Sequence, residues 1–113
     1  MATDIRAELS NCGVSAQKVR LVINVVRGKP AIEALNTLQF MVKGAARPVR
    51  KLLASAVANA EENFGLSRDN LYVYTITADE APTRKWRRFG ARGRFKPLLR
   101  RASHIKIVLR ERE

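Results

Sequence analysis

The segment from residue 84 to residue 101 reads RKWRRFGARGRFKPLLRR and holds nine lysines and arginines without one aspartate or glutamate. Guanidinium and ammonium groups bind phosphate oxygens, and guanidinium planes and aromatic rings stack on nucleobases. Trp86, Phe89 and Phe95 are interleaved with these cations. The residue types therefore predict binding to a nucleic acid, with burial of the rings in a core as the alternative, since aromatic side chains are usually buried.

The chain offers few groups for catalysis. It has 113 residues, with one histidine, His104, one cysteine, Cys12, and no carboxylates clustered at a spacing typical of a metal or acid–base site. General acid–base and nucleophilic mechanisms need such groups close together. We therefore predict that the chain is not an enzyme and uses neither a metal nor another cofactor. A lone cysteine also excludes an internal disulfide.

The charge is unevenly distributed. The formal net charge is +12, yet residues 1–82 carry ten basic and eight acidic side chains, whereas residues 83–113 carry twelve and two. This asymmetry indicates a balanced body with a cationic extension, suited to nucleic acid or to an anionic membrane surface. No apolar run approaches the roughly 18 residues of a membrane helix, and the first residues do not resemble a secretion signal. We expect a soluble, intracellular protein.

The elements that position the basic segment follow from hydrophobic periodicity. Alternating apolar residues predict strands over 3–10 and 103–110, and β-branched and aromatic residues predict a strand over 71–78. Helical spacing predicts helices over 15–27, 31–41 and 47–64. This order predicts an α+β fold, in which a small three-stranded antiparallel sheet is covered on one face by three helices.

The connection between the last two strands has about 24 residues, which is far longer than an ordinary loop of roughly 4 to 6 residues. If both strands continue outward and return at Gly90 and Gly93, each arm reaches roughly 30 Å at about 3.3 Å per residue. We predict a single domain over 1–113, with a globular body (1–80 and 102–113) and an extended basic β-hairpin (81–101). Deletion of 84–96 is expected to spare the body.

Two groups of cations lie outside the hairpin. Arg20 and Arg27 belong to a polar stripe on the first helix that contains no acid. Arg47, Arg50 and Lys51 stand in the first turns of the third helix, where the helix dipole disfavours positive charge. Docked phosphates would reverse that penalty. The alternatives are a solvated helix face and a tolerated cost of a few tenths of a kcal/mol per charge.

Three stretches occur together and in order: SAQKVRLVINVVRGK at 15–29, LLASAVANAEEN at 52–63, and DEAP followed by a basic run ending RASHI within 79–105. With them the chain resembles the bacterial-type large-subunit ribosomal protein L-twenty-two family. The resemblance implies a body on the large-subunit rRNA, a role in subunit assembly, and a hairpin that lines the nascent-peptide exit tunnel. It implies as partners rRNA, other large-subunit proteins and the nascent peptide, in a cytoplasmic or an organellar ribosome.

The charge pattern and the resemblance together give the residues expected to bind rRNA. They are Ser15, Lys18, Arg20, Arg27, Lys29, Arg47, Arg50, Lys51, Arg84, Lys85, Trp86, Arg87, Arg88, Phe89, Arg92, Arg94, Lys96, Arg100, Arg101 and His104. A partly buried structural role is the alternative for His104. A general nucleic-acid-binding protein is the alternative for the chain, whereas Gly90, Gly93 and Pro97 disfavour a membrane-surface helix.

Overall fold

The computed structural model describes residues 4–89 and 95–112, with the side chains of 4–82 and 101–112. The elements are β1 (Asp4–Cys12), α1 (Ala16–Val26), α2 (Ala31–Phe40), α3 (Ala46–Phe64), a short 3-10 turn (Arg68–Asn70), β2 (Leu71–Phe89) and β3 (Phe95–Glu111). Their order matches the predicted one, and the α+β fold is confirmed.

The three strands form one antiparallel sheet in the order β1-β3-β2, so that the last strand lies in the middle. Ile5 is opposite Leu109, and Ile76 is opposite Ile107. Side chains alternate between the two faces of a sheet. One face therefore collects the apolar residues of all three strands and packs on the helices.

The core consists of this apolar face and one stripe from each helix. From α1 it receives Val19, Val22, Ile23 and Val26, as the spacing predicts. From α3 it receives Ala46, Val49, Leu52, Leu53, Ala56, Val57 and Ala60. Full burial of one Val, Ile or Leu side chain stabilises a fold by about 1.5 to 3 kcal/mol. Phe64, which the same spacing assigns to this stripe, is 50% exposed at the helix end.

Beyond the body, β2 and β3 continue as a paired ribbon as far as Phe89, which lies opposite Phe95. β2 and β3 thus extend beyond the stretches 71–78 and 103–110 into the segment for which the β-hairpin was predicted. The radius of gyration is 17.1 Å, against about 13 Å for a compact chain of this size, and the long dimension is 64 Å. The predicted turn at Gly90 and Gly93 lies outside the described residues.

Two β-bulges flank the place where the hairpin joins the body. β1 has one extra residue between Leu9 and Cys12, where Asn11 has a positive φ of 55°. β2 has one extra residue between Ala81 and Arg84. A bulge bends its strand and increases the local twist. The direction of the hairpin is therefore set close to these two positions.

Candidate nucleic-acid interface

The strand register of the hairpin places two pairs of basic residues opposite each other. The register places Arg84 opposite Arg100 and Arg88 opposite Lys96. Like charges directly opposite each other destabilise an antiparallel pair. The arrangement therefore gains stability when an anion lies along it. The predicted binding residues Arg92 and Arg94 lie outside the described residues.

The remaining hairpin residues of the predicted site occupy the same ribbon. The backbone register pairs Lys85 with Leu99, Trp86 with Leu98, Arg87 with Pro97, and Phe89 with Phe95. Arg101 follows at the root of the hairpin, where its side chain is exposed. Basic and aromatic residues are thus distributed along the whole described length of the ribbon.

A cleft of about 870 Å³ lies beside the root of the hairpin, and we call it the basic cleft. Three cations from separate parts of the chain line it: Lys18 of α1, Lys43 of the α2–α3 loop and Arg101 of β3. The other lining residues are Gly13, Val14, Ser15, Gln17, Leu21, Gly44 and Ala45. The fold therefore unites Ser15, Lys18 and Arg101, which are far apart in the sequence.

The starts of two helices also meet at the basic cleft. α1 begins at Ala16 and α3 at Ala46, directly after the lining residues Ser15 and Ala45. Neither Ser15 nor Ala45 caps its helix through a side-chain hydrogen bond, and neither helix has an acidic residue in its first turn. Free N–H groups and the positive end of the dipole favour anions at such helix starts. The cleft thus has the electrostatics of a phosphate site.

The cations of α3 lie close to this helix start. Arg47 and Lys51 are exposed, and Arg50 is half-buried. The structure keeps all three within the first turns of α3, as the sequence predicted. Glu61, near the other end of the helix, is paired with Arg68 at 2.6 Å. The cationic end of α3 is therefore the one available for an anionic partner.

Two arginines of the polar stripe of α1 bond to the neighbouring strand. Arg20 Nε donates a hydrogen bond to the carbonyl oxygen of Ala78 at 3.1 Å. Arg27 donates to the carbonyl oxygen of Ile76 at 2.9 Å and to the Asn24 side chain at 3.1 Å. Lys29 is half-buried, and its backbone pairs with Val73. These predicted RNA-binding residues thus also hold α1 and β2 together.

His104 and its neighbour also bond within the body. The backbone N–H of Asn11 donates to Nδ1 of His104 at 3.1 Å, so the neutral ring carries its proton on Nε2. Ser103 is fully buried, and its hydroxyl donates to the carbonyl oxygen of Val14 at 2.8 Å. Half-buried His104 thus uses one nitrogen within the protein and keeps Nε2 for another partner.

Lys43 is the residue of the basic cleft that the sequence did not indicate. It stands between α2 and α3, outside any periodic pattern and outside the quoted motifs. Only the fold brings it near Lys18 and Arg101. The one available signal was its place, followed by Gly44, just before a helix whose first turns are basic.

A second group of charged and aromatic residues lies where β1, β2 and β3 meet at the opposite end of the body. Arg110 bonds to Asp4 at 2.6 Å and stacks on Tyr74, with 3.4 Å between its guanidinium carbon and the ring centre. The hydrogen bond from Arg110 lowers the pKa of Asp4 below its ordinary value and raises the pKa of Arg110. Arg112 lies 4.8 Å from the ring centre of Tyr72. These contacts join the start of β1 and the end of β3 to the first residues of β2.

Within the described ranges 4–89 and 95–112, no cluster of three or more His, Cys, Asp or Glu residues could hold a metal ion. None of the helices in that part of the chain is long and apolar enough to cross a membrane.

Comparisons with known proteins give a consistent result. The family model described as ribosomal protein L22p/L17e matches residues 7–110. Large ribosomal subunit protein uL22 of Thermoanaerobacter pseudethanolicus is 51% identical over 100 residues, which cover 88% of this chain and 90% of the relative. The protein of the same name from Caldicellulosiruptor saccharolyticus is 48% identical over 107 residues, covering 95% and 88%. That of Dehalococcoides mccartyi is 44% identical over 106 residues, covering 94% and 97%.

Proposed function

The chain belongs to the ribosomal protein L22p/L17e family, and on this premise we propose that it is a structural constituent of the large ribosomal subunit. It binds large-subunit rRNA, assists assembly of the subunit, and resides in the cytoplasmic ribosome. The relatives are named as ribosomal proteins, in agreement with the prediction that the chain is not an enzyme.

The hairpin carries this proposal. Its nine cations are accompanied by no acid, and the register sets arginine opposite arginine and arginine opposite lysine. A two-stranded ribbon is marginally stable by itself, and like charges weaken it further. Folded RNA supplies phosphates for the cations and bases for the aromatic residues. An RNA partner therefore accounts for a shape that self-repulsion opposes.

The basic cleft supplies a second contact with rRNA at the root of the hairpin. Lys18, Lys43 and Arg101 surround the starts of α1 and α3. Helix starts and basic side chains acting together are a common way to hold a phosphate group. Arg47, Arg50 and Lys51 extend the same positive surface along α3. We propose that an RNA strand follows this surface and continues along the hairpin.

The length of the hairpin supports the finer part of the proposal. The body (1–80 and 102–113) remains at the outer surface of the subunit RNA, and the hairpin (81–101) reaches inward to line the nascent-peptide exit tunnel. The 64 Å long dimension of the molecule fits this division of one domain into two parts. Its further partners are the nascent peptide and neighbouring large-subunit proteins, for which the exposed Phe40 and Val42 offer an apolar contact.

Crosslinking in cells tests the proposal. The chain is irradiated in living cells, the attached RNA is sequenced, and the crosslinked residues are mapped. Crosslinks from residues 84–101 to large-subunit rRNA at the tunnel wall are expected. A control chain with residues 85–99 replaced by Asn-Gly keeps only the crosslinks of the body. Crosslinks scattered over messenger RNA or DNA would replace the proposal with general nucleic-acid binding.

A further inference from the structure

Three hydrogen bonds surround the root of the hairpin, and we call them the collar. Asn11 N–H donates to His104 Nδ1 at 3.1 Å, Ser103 Oγ donates to the carbonyl oxygen of Val14 at 2.8 Å, and Arg20 Nε donates to the carbonyl oxygen of Ala78 at 3.1 Å. The partners come from the end of β1, the β1–α1 loop and α1. Both strands of the hairpin are thus held from the side of the body.

The collar lies immediately inside the bulge at which the hairpin leaves the body. Ala81 is the last residue of β2 in register before the bulge, and it pairs with Ala102. Ser103 and His104 are the next two residues of β3 toward the body. A bulge bends its strand and increases the local twist, and a two-stranded ribbon is only marginally stable by itself. Hydrogen bonds at this position hold in place the parts of β2 and β3 from which the hairpin starts.

The atoms used in the collar face the protein. Ser103 is fully buried, so its hydroxyl is committed to Val14. His104 accepts through Nδ1, and Arg20 donates through Nε, the guanidinium nitrogen nearest its stem. Direct RNA contact does not require these particular atoms to bond to the body. A role in RNA contact alone therefore does not explain these three hydrogen bonds.

We propose that Ser103, His104 and Arg20 are positioning residues, which set the direction of the hairpin in the free protein before RNA is bound. The inference deepens the proposed function, on which it rests for its consequence in rRNA binding. A hairpin held in the bound direction loses less conformational freedom on binding. A hairpin released from the collar samples many directions and binds rRNA more weakly.

Two substitutions of His104 separate positioning from RNA contact. In His104→Asn the side-chain oxygen replaces Nδ1, so the bond from Asn11 is retained. In His104→Gln the polar group replaces Nε2 instead, so the bond from Asn11 is lost while an outward contact is kept. If His104 positions the hairpin, His104→Asn should match the parent chain in hairpin direction and rRNA affinity. If His104 contacts RNA directly, His104→Gln should match the parent in rRNA affinity.

The direction of the hairpin is measured in the free, full-length chain by electron paramagnetic resonance. Spin labels are attached at Ser55→Cys on the exposed side of α3 and at Lys96→Cys on the hairpin, in a Cys12→Ala background. Six residues of strand separate 96 from 102, about 20 Å, so a change of about 15° at the root moves the label by about 5 Å.

We expect a narrow distance distribution for the parent and for His104→Asn, and a shifted or broadened one for His104→Gln, Ser103→Ala and Arg20→Gln. Equal distributions for the parent and His104→Gln would overturn the inference, and so would equal broadening in His104→Asn and His104→Gln. Helical circular dichroism verifies that each body is folded. If Ser103→Ala does not fold, the His104 pair and Arg20→Gln decide.

Affinity for a large-subunit rRNA fragment is measured on the same variants without labels. Positioning predicts that His104→Asn retains the affinity of the parent and that His104→Gln loses it, and the reverse order would assign His104 Nε2 to RNA instead. A parent chain that does not prefer this RNA over duplex DNA would refute the proposed function. The distance measurement, made without RNA, would still decide the role of the collar.

Discussion

The body and the hairpin share the strands β2 and β3, but the side chains of these strands stabilise the body and destabilise the hairpin. In the body, β2 and β3 contribute buried residues such as Val73, Ile76, Ile105 and Ile107, which pack on the helices. Residues 81–101 hold nine cations and no acid, whereas the rest of the chain holds thirteen basic and ten acidic side chains. The hydrophobic effect favours the first region, and electrostatic repulsion disfavours the second.

This difference shows that continuous secondary structure need not have one cause. Burial of apolar side chains stabilises the strands within the body. The backbone hydrogen bonds between β2 and β3 continue outward into the ribbon, although the like charges of the ribbon disfavour the pairing. The bulges lie where the ribbon leaves the body, and an anionic partner would offset its repulsion. The body should therefore be insensitive to changes in the hairpin, and RNA binding should depend strongly on them.

The largest expected effect is that of removing the hairpin. Replacing residues 85–99 by Asn-Gly joins the paired residues Arg84 and Arg100 through a two-residue turn. The helical circular dichroism of the body should persist, while affinity for rRNA falls by orders of magnitude. Because six cations are lost, the slope of log K against log[salt] should decrease by up to about 4 to 5. Loss of the helical signal would show that the body depends on the hairpin.

The next effect concerns the body. Leu53 of α3 is fully buried, and Leu53→Ala should lower the free energy of unfolding by about 2 to 5 kcal/mol, because it removes apolar contacts and leaves a cavity. Urea unfolding followed by circular dichroism measures this free energy. Ser55→Ala, at an exposed position of the same helix, should change stability by less than about 0.5 kcal/mol. Similar values for the two variants would contradict the described core.

A smaller effect tests whether the basic cleft belongs with the hairpin in RNA binding. Lys43→Gln should weaken rRNA binding and reduce the salt slope by about 0.7 to 0.9, as expected for one lost phosphate contact. Lys106→Gln removes the same charge from an exposed position on the open face of the sheet. It should leave the slope nearly unchanged. Equal slopes for the two variants would mean that net charge, rather than the cleft, determines binding.

The smallest effect is that of pH on the pair formed by Asp4 and Arg110. Because the hydrogen bond from Arg110 lowers the pKa of Asp4 below its ordinary value of 3.8, the pair stabilises the body above that pH. The contribution is lost as pH falls through the lowered pKa. Asp4→Asn should therefore be slightly less stable than the parent in urea at neutral pH. Far below pH 3.8 the two should coincide, and a difference that persists there would exclude the carboxylate as its cause.

The sequence predicted the elements of the body because each has a strong periodic signal. The stripes of α1 and α3 and the alternation in β1 and β3 require one buried face. Phe64 shows where this reasoning stops, since the spacing continues to the last residue of α3 while the adjacent Gly65, with φ of +65°, ends the helix. Periodicity indicates which face of a helix is buried, but the C-terminal cap determines how far along the chain that buried face extends.

The candidate site was less accessible from sequence. The cations of the hairpin were evident from composition, but the basic cleft needs three segments that only the fold brings together, and the position of Lys43 before α3 was its one local signal. Arg20 was predicted to bind RNA from the acid-free stripe and the family resemblance, and His104 from the resemblance. Their hydrogen bonds to Ala78 and Asn11 depend on the packing of α1 and β1 beside the hairpin root, which no spacing rule specifies.

The outer edge of β2 has a consequence for pairing between copies of the chain. Val73 exchanges two backbone hydrogen bonds with Gly28 and Lys29, and the carbonyl oxygens of Ile76 and Ala78 accept bonds from the arginines of α1. An open strand edge is a template on which further copies add and aggregate. Here both backbone polar groups of Val73 and the carbonyl oxygens of Ile76 and Ala78 are already bonded within the body. These groups of the β2 edge are therefore not open to pairing with a strand of another copy.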